Sequence, residues 1–306
     1  MTSHSARDAS ILVTGGSGTT GRLLIQALRA RGVRYRVLAR SAARRAELRR
    51  DDIPTIDGDF DHPETLAAAL DGATAAYLVC TPDEHLARRE ISFIRAARAA
   101  RLPRIVKCGA YGTAHDCPSP TLRLHAQIED ELRASGVAHT VLRPHGFMQS
   151  LYAMIGPFIA EHGTFMLPAG DGPIPLVDAR DVAEAALTAL LDPTFEGRSY
   201  DLTGPEALRL PEVAEILSRA LARPVRYLDA SEATFDAALR GLHLPDTARE
   251  HVLWTFREQR AGRFDFVARG HEALGIRPRS FAEFAADLRR GQAAASISDF
   301  RRSALT

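Results

Sequence analysis

The chain carries almost no net charge: Lys and Arg number 39 and Asp and Glu 38 in 306 residues, a formal charge of +1 at pH 7. That balance gives no electrostatic reason to expect nucleic acid or an anionic membrane as partner. Cysteine is scarce. Cys80, Cys108 and Cys117 are odd in number and lack metal-ligand spacing, so no metal site is expected and a reducing, cytoplasmic setting fits. No run approaches the ~20 apolar residues that span a bilayer. Residues 1–10 are polar without an apolar core, which reads as a flexible N-terminus rather than a signal peptide. Repeats are lacking, and low complexity is confined to a tail over 291–306.

What is present is an ordinary globular composition, 45% hydrophobic and 25% charged, long enough for one large domain or two modest ones. Its sharpest local signal follows a short apolar run, Ile11, Leu12 and Val13. Glycines stand at 15, 18 and 21, a G-x-x-G-x-x-G spacing, and Leu23, Leu24, Ala27 and Leu28 then recur at helical spacing. Gly32 ends that helix and 35–39 reads as a second strand. Such a β-α-β unit turns backbone N–H groups and a helix N-terminus toward a phosphate. Gly15 permits the turn, Gly18 admits a pyrophosphate, and Gly21 allows close packing of helix on strand. The reading is a dinucleotide site including Ser17, Thr19 and Thr20; the alternative is a plain mononucleotide or flavodoxin-like turn.

NAD-binding units place a carboxylate at the end of the second strand to accept from the ribose 2′-OH. Here that place holds Arg40, then Ser41 and Arg44, with no carboxylate before Glu47. A guanidinium suits a 2′-phosphate, which it binds bidentately. NADPH (NADP+) is therefore expected over NADH, while Arg45, Arg49 and Arg50 read as a solvated helix face.

Strands and helices alternate through the first half, the pattern of a parallel sheet covered on both faces. Strands are expected at 54–59, 75–80, 104–109 and 139–143, with helices at 42–50, 62–70, 83–100 and 121–135. Beyond Pro144 the pattern loosens. An apolar helix is expected over 147–160, a loop over 168–175 and a short strand over 174–177. A helix follows over 181–191, capped by Asp178 or Asp181, and a strand over 199–202. Helices at 210–221, 230–242, 246–259 and 280–288, the last with Ser280 as its cap, complete the reading.

Several segments in this order resemble the NmrA-like family of atypical short-chain dehydrogenases/reductases. They are 13–21; Gly58, Asp59 and Pro63 with Leu66; His125 and Glu129 followed by Ser135, Gly136, Arg143 and Pro144; and Asp178, Asp181 and Ala183. The resemblance covers about 11–285. It implies an α/β fold, a doubly wound parallel Rossmann sheet with a smaller α/β C-terminal substrate lobe. The cofactor domain would span 11–150, with strands from about 174–203 returning to it, and the lobe 151–290. Members include NADPH-dependent quinone, triphenylmethane-dye and phenylpropanoid reductases, and cofactor-binding redox sensors with little or no catalysis.

Ligands of open α/β sheets lie at the C-terminal strand ends. That places Cys80, Thr81 and Pro82, Gly109 and Ala110, and Pro144, Gly146 and Phe147 beside the cofactor. Asp59 is either an acceptor for the adenine amino group, with Phe60 along the ring, or the cap of an Asx turn; the resemblance implies the former. The Tyr-x-x-x-Lys pair of better-known short-chain dehydrogenases is absent, since Tyr111 is followed four residues on by His115. The resemblance implies His125, four residues before Glu129, near the nicotinamide, and histidine suits general-acid work near neutral pH. Without the pair, hydride transfer favours acceptors that delocalise charge themselves. Tyr111, Phe147, Met148, Leu151, Tyr152 and Trp254 would then line a small apolar or aromatic substrate, although such a helix face is also what a core looks like. The expected activity is NADPH-dependent reduction of an electron-poor aromatic, quinonoid or conjugated molecule by a monomer or homodimer. The alternative is a non-catalytic NADP(H)-binding sensor.

Overall fold

Ile11, Leu12 and Val13 are fully buried because their strand, β1 (Ser10–Val13), runs through the middle of a sheet. The computed structural model describes residues 10–242 and 244–290. The expected tail (291–306) and, apart from Ser10, the expected flexible N-terminus lie outside them.

The first half alternates as its pattern suggests: α1 (Thr19–Ala30), β2 (Arg34–Ala39), α2 (Ala42–Arg50), β3 (Thr55–Asp57), α3 (Leu66–Leu70), β4 (Ala75–Leu78), α4 (Leu86–Ala99), β5 (Arg104–Cys108), α5 (Pro120–Ser135) and β6 (Ala138–Pro144). Then come α6 (Met148–His162), β7 (Thr164–Leu167), α7 (Ala179–Leu191), β8 (Arg198–Leu202), α8 (Leu210–Leu221), β9 (Arg226–Asp229), α9 (Glu232–Arg240), α10 (Asp246–Arg260), α11 (Gly270–Ala273) and α12 (Phe281–Arg289).

Seven strands form one sheet in the order β3-β2-β1-β4-β5-β6-β8, with the pairs from β3 through β6 all parallel. The order reverses between β1 and β4, the switch point at which α/β sheets take ligands. Both faces are covered, so β4 is buried along its whole length. On one face Leu12, Ala76, Leu78 and Ile105 pack with Leu66 of α3, Phe93 and Ile94 of α4 and Ile128 of α5. Each fully buried Leu, Ile or Phe among them contributes roughly 1.5–3 kcal/mol. On the other face the Tyr77 hydroxyl donates to Thr20 Oγ1 of α1 at 3.0 Å.

The chain divides into two units. One comprises 1–117, 122–143 and 182–200; the other comprises 118–121, 144–181 and 201–306. In the second unit α12 packs on α8, and β7 and β9 form a two-stranded parallel sheet.

Two expectations for this region are corrected. The strand expected over 174–177 does not form; Ile174 and Val177 make only isolated bridges, to Leu208 and Phe147. Pro173 and Pro175 remove the N–H donors a ladder needs. The pair β7 and β9, absent from the sequence reading, does form. Each is four residues long, too short to show a period. The cap of α7 is resolved: Asp178 Oδ1 accepts from the Arg180 N–H at 2.9 Å, while Asp181 serves the Arg279 N–H at 2.7 Å. Ser280 caps α12 in a reciprocal box with Glu283.

Candidate functional site

The glycine turn is built against the neighbouring strand. Thr14 Oγ1 lies 3.0 Å from the carbonyl oxygens of both Tyr77 and Val79 and accepts from the Val79 N–H at 2.9 Å, tying the end of β1 to that of β4. Gly15 follows with φ +58°, the left-handed region that favours glycine. Its carbonyl accepts from the Gly18 N–H at 2.9 Å. A Cβ on Gly21 would stand 2.3 Å from the same oxygen. Gly18 is the N-cap of α1, without a capping side chain and without an acidic residue in the first turn. The N–H groups of Thr19, Thr20 and Gly21 therefore stand outside the intrahelical ladder, at the positive end of the helix dipole. Such a helix end suits an anion, and beside it the Ser17 carbonyl accepts from Arg22 Nε at 3.2 Å.

The arginines after β2 divide into two kinds. Arg40 is exposed and makes no hydrogen bond or ion pair among the described residues. Arg44 is held by Glu47 at 2.7 Å, and Glu47 also takes Arg22 at 3.2 Å. Ser41 Oγ caps α2 through the Arg44 N–H at 3.2 Å. Arg45 pairs with Asp57 rather than lying free on a solvated face. Glu47 was read only as the first carboxylate after Arg40. The structure gives it two guanidinium partners.

Past β3, Asp59 Oδ1 accepts from the Asp61 N–H at 3.0 Å, which closes an Asx turn. Oδ2 has no partner among the described residues. Phe60 is 8% exposed and packs on Phe93 at a centroid distance of 5.2 Å, within the core cluster. Arg89 of α4 joins this loop to the one after β4, reaching Asp61 Oδ2 at 3.0 Å and Asp83 Oδ2 at 2.6 Å. The second loop carries Cys80, half-buried, and Thr81 and Pro82, both exposed. The sequence offered no signal for this clasp, because its partners lie 28 and 6 residues from Arg89.

Beneath the ends of β4 and β5 lies a buried polar group that sequence reading also missed. Lys107 and Glu90 form an ion pair at 2.9 Å with no solvent exposure on either side chain. The Tyr77 hydroxyl lies beside Cys108, and burial pushes the tyrosine and both nearby thiols upward, Cys80 to about 12. These cysteines stay protonated and inert at neutral pH. Lys107 is the only lysine of the chain. Being buried against Glu90, it leaves no lysine to activate a tyrosine.

Gly109 extends β5, its N–H donating to the Leu142 carbonyl at 2.7 Å, and Ala110 accepts from Thr113 Oγ1 at 2.7 Å. Tyr111 is half-buried. His125 is 7% exposed on α5, so it is not the freely solvated helix-surface histidine a lone His often is. One turn further on, Glu129 is gripped by Arg143 of β6, with Nε to Oε1 at 2.9 Å.

In the second unit, Pro144 at the end of β6 and His145 after it are buried, and Gly146 and Phe147 are half-buried. Met148 and Leu151 are buried, at 1% and 7% exposure, and Tyr152 stands edge-on to Phe284 at 6.3 Å. Trp254 stacks on His251 at 5.9 Å and meets Phe264 edge-on at 6.1 Å; Phe264 in turn meets His145 at 4.5 Å. Burial lowers His145 to about 3 and His251 to about 4, so both are neutral in this ring cluster. Ser119 Oγ lies 2.9 Å from His251 Nδ1.

Among the described residues no group of three or more His, Cys, Asp or Glu could hold a metal ion, and no helix is long and apolar enough to cross a membrane. The family model described as "NmrA-like family" matches residues 7–285. An NAD(P)H azoreductase of Xenophilus azovorans is 34% identical over 281 residues, covering 90% of this chain and 96% of its own. Among solved structures, the NADPH-dependent quinone oxidoreductase of Escherichia coli complexed with NADPH aligns with a TM-score of 0.80 at 26% identity, over 91% of this chain and 99% of that one. The Citrobacter sp. triphenylmethane reductase complexed with NADP(H) aligns with a TM-score of 0.81 over 92% and 99%; at 22% identity it bears on the fold alone.

Proposed function

The chain belongs to the NmrA-like family, and on that premise we propose that it is an NAD(P)H-dependent oxidoreductase. In this reading it uses NADPH in preference to NADH and reduces an electron-poor aromatic, quinonoid or conjugated small molecule. One observation carries the reading: an uncapped, glycine-lined helix N-terminus after β1 and, after the adjacent β2, an exposed Arg40 without a partner among the described residues. Together they suit a pyrophosphate and a 2′-phosphate on one ligand.

Bound NADPH supplies the hydride. The turn from Gly15 to Gly21, with Ser17, Thr19 and Thr20, takes the pyrophosphate on backbone N–H groups. Arg40 takes the 2′-phosphate, with Ser41 and Arg44 beside it. Asp59 offers its remaining oxygen to the adenine amino group, and Phe60 anchors that loop in the core. Cys80, Thr81, Pro82, Gly109 and Ala110, on the loops after β4 and β5, line the rest of the cofactor. His125 holds the proton delivered to the reduced acceptor. Within the second unit, Phe147, Tyr152 and Trp254 are the half-buried aromatics of the expected acceptor lining, while Met148 and Leu151 lie in its core. Quinones, azo compounds and dye cations delocalise the charge that a Tyr/Lys pair would otherwise stabilise, and the names of the azoreductase and quinone oxidoreductase fit that class.

The burial of the chain's one lysine also favours a second reading, a non-catalytic NADP(H)-binding sensor. The deciding experiment follows NADPH consumption by the purified protein with quinones, azo dyes and triphenylmethane dyes, alongside direct cofactor titration. Turnover on any of these supports the reductase. NADPH binding without turnover supports the sensor, and failure to bind NADPH overturns both.

A further inference from the structure

Lys107 sits opposite Leu78, the last pair in the β4–β5 register. Beyond it the two strand ends lead to Cys80 and Gly109. Lys107 Nζ lies 2.9 Å from Glu90 Oε2 and 3.2 Å from Oε1, and it donates to the Cys108 carbonyl. Burial raises the Glu90 pKa, and Lys107 and the nearby Cys80 backbone N–H oppose that rise. The pair thus joins α4 to the ends of both strands. The neighbouring backbone is secured from other sides, Val79 by Thr14 Oγ1 at 2.9 Å and Gly109 by the Leu142 carbonyl at 2.7 Å.

Stability alone does not account for this arrangement. Two charges with no exposure pay a desolvation cost that their attraction often fails to recover, and well-packed apolar residues commonly replace such pairs without loss. What apolar residues cannot supply is a partner for an N–H and a carbonyl that have run past the end of the ladder. The choice of residue fits the task. Every other Lys/Arg position in this sequence is arginine, whose planar guanidinium suits flat two-oxygen partners. A compact ammonium with three tetrahedral donors suits three converging acceptors.

We propose that Lys107 and Glu90 are positioning residues for the cofactor site: their buried ion pair holds the Cys80 N–H and the Cys108 carbonyl, and through them the two segments that receive the dinucleotide between β4 and β5. The proposal rests on the cofactor reading above. Neither side chain touches the reacting atoms; both act through backbone.

Two variants test it. Lys107→Met with Glu90→Met removes both charges at similar side-chain length. Glu90→Asp keeps both charges and draws the carboxylate back by one methylene. The double variant should unfold within a few degrees of wild type, bind NADPH about tenfold more weakly, and leave the acceptor KM unchanged. In the protein without cofactor, amide exchange should quicken at Cys80 more than in the core strands. Glu90→Asp should shift affinity and exchange the same way by a smaller factor. Wild-type NADPH affinity and exchange in the double variant would show that the pair only fills space. If the double variant does not fold, wild-type affinity and exchange in Glu90→Asp overturn the proposal. If the wild-type protein itself does not bind NADPH, the cofactor reading fails instead, and exchange at Cys80 still decides whether the pair holds the strand end.

Discussion

Gly21 touches Gly15 where no other residue could: a Cβ on Gly21 would stand 2.3 Å from the Gly15 carbonyl oxygen. The last glycine of the motif thus packs the first turn of α1 against the glycine turn, at Gly15 and Gly16. Gly21→Ala must displace one from the other. The expected cost is about 1–3 kcal/mol in thermal or denaturant unfolding, together with weakened NADPH binding in a fluorescence titration. A variant with wild-type stability and affinity would show that the turn relaxes freely.

Arg40 and Arg44 should separate in their effects on cofactor choice. Arg40 has no partner among the described residues, whereas Arg44 is held by Glu47 at 2.7 Å. Arg40→Asp is expected to weaken NADPH about 10- to 100-fold, the range of a lost charge-assisted hydrogen bond, and to leave NADH within a few-fold. Arg44→Ala should do less. Equal losses for NADPH and NADH in Arg40→Asp would sink the 2′-phosphate assignment.

His125→Ala should lower kcat by about 10²- to 10⁴-fold, the usual contribution of a positioned proton donor, and change the NADPH dissociation constant little. Steady-state kinetics with a quinone and a cofactor titration check the two halves. Unchanged turnover would make the histidine a packing residue of α5.

Acid should destabilise the second unit through its histidines. Burial holds His145 at about 3 and His251 and His271 at about 4, below their ordinary 6.5. Unfolding frees each to take a proton, so stability is complete above pH 6.5 and falls as pH drops toward 4. At pH 5 the loss is about 2 kcal/mol per histidine. Denaturant unfolding at pH 7 and pH 5 measures it, and His271→Met should reduce the slope. A flat profile between these pH values would show that the rings are hydrated.

Local signals carried the sequence reading a long way. A positive φ at Gly15, the helical spacing after it, the missing carboxylate at Arg40 and the Ser280 cap each act within a few residues, so they stand in the sequence as plainly as in the fold. They were enough to determine a doubly wound α/β protein with a glycine turn after its first strand. Asp59 shows where such reasoning divides: the Asx turn it also foresaw does form, and only one oxygen remains for a ligand.

The rest depended on residues far apart in the chain. Nothing near Lys107 announces that Glu90, seventeen residues earlier, will meet it in the core. Arg89 gives no local sign of clasping two loops. The apolar stretch at 174–177 looks like a strand until its prolines deny it a ladder, while β7 and β9, each too short to show a period, pair across some sixty residues. Local backbone preference thus determined the alternating elements of the first half and where the glycine turn lies. Tertiary packing decided which charges are paired and which are buried, because those outcomes turn on contacts that exist only once the sheet has closed.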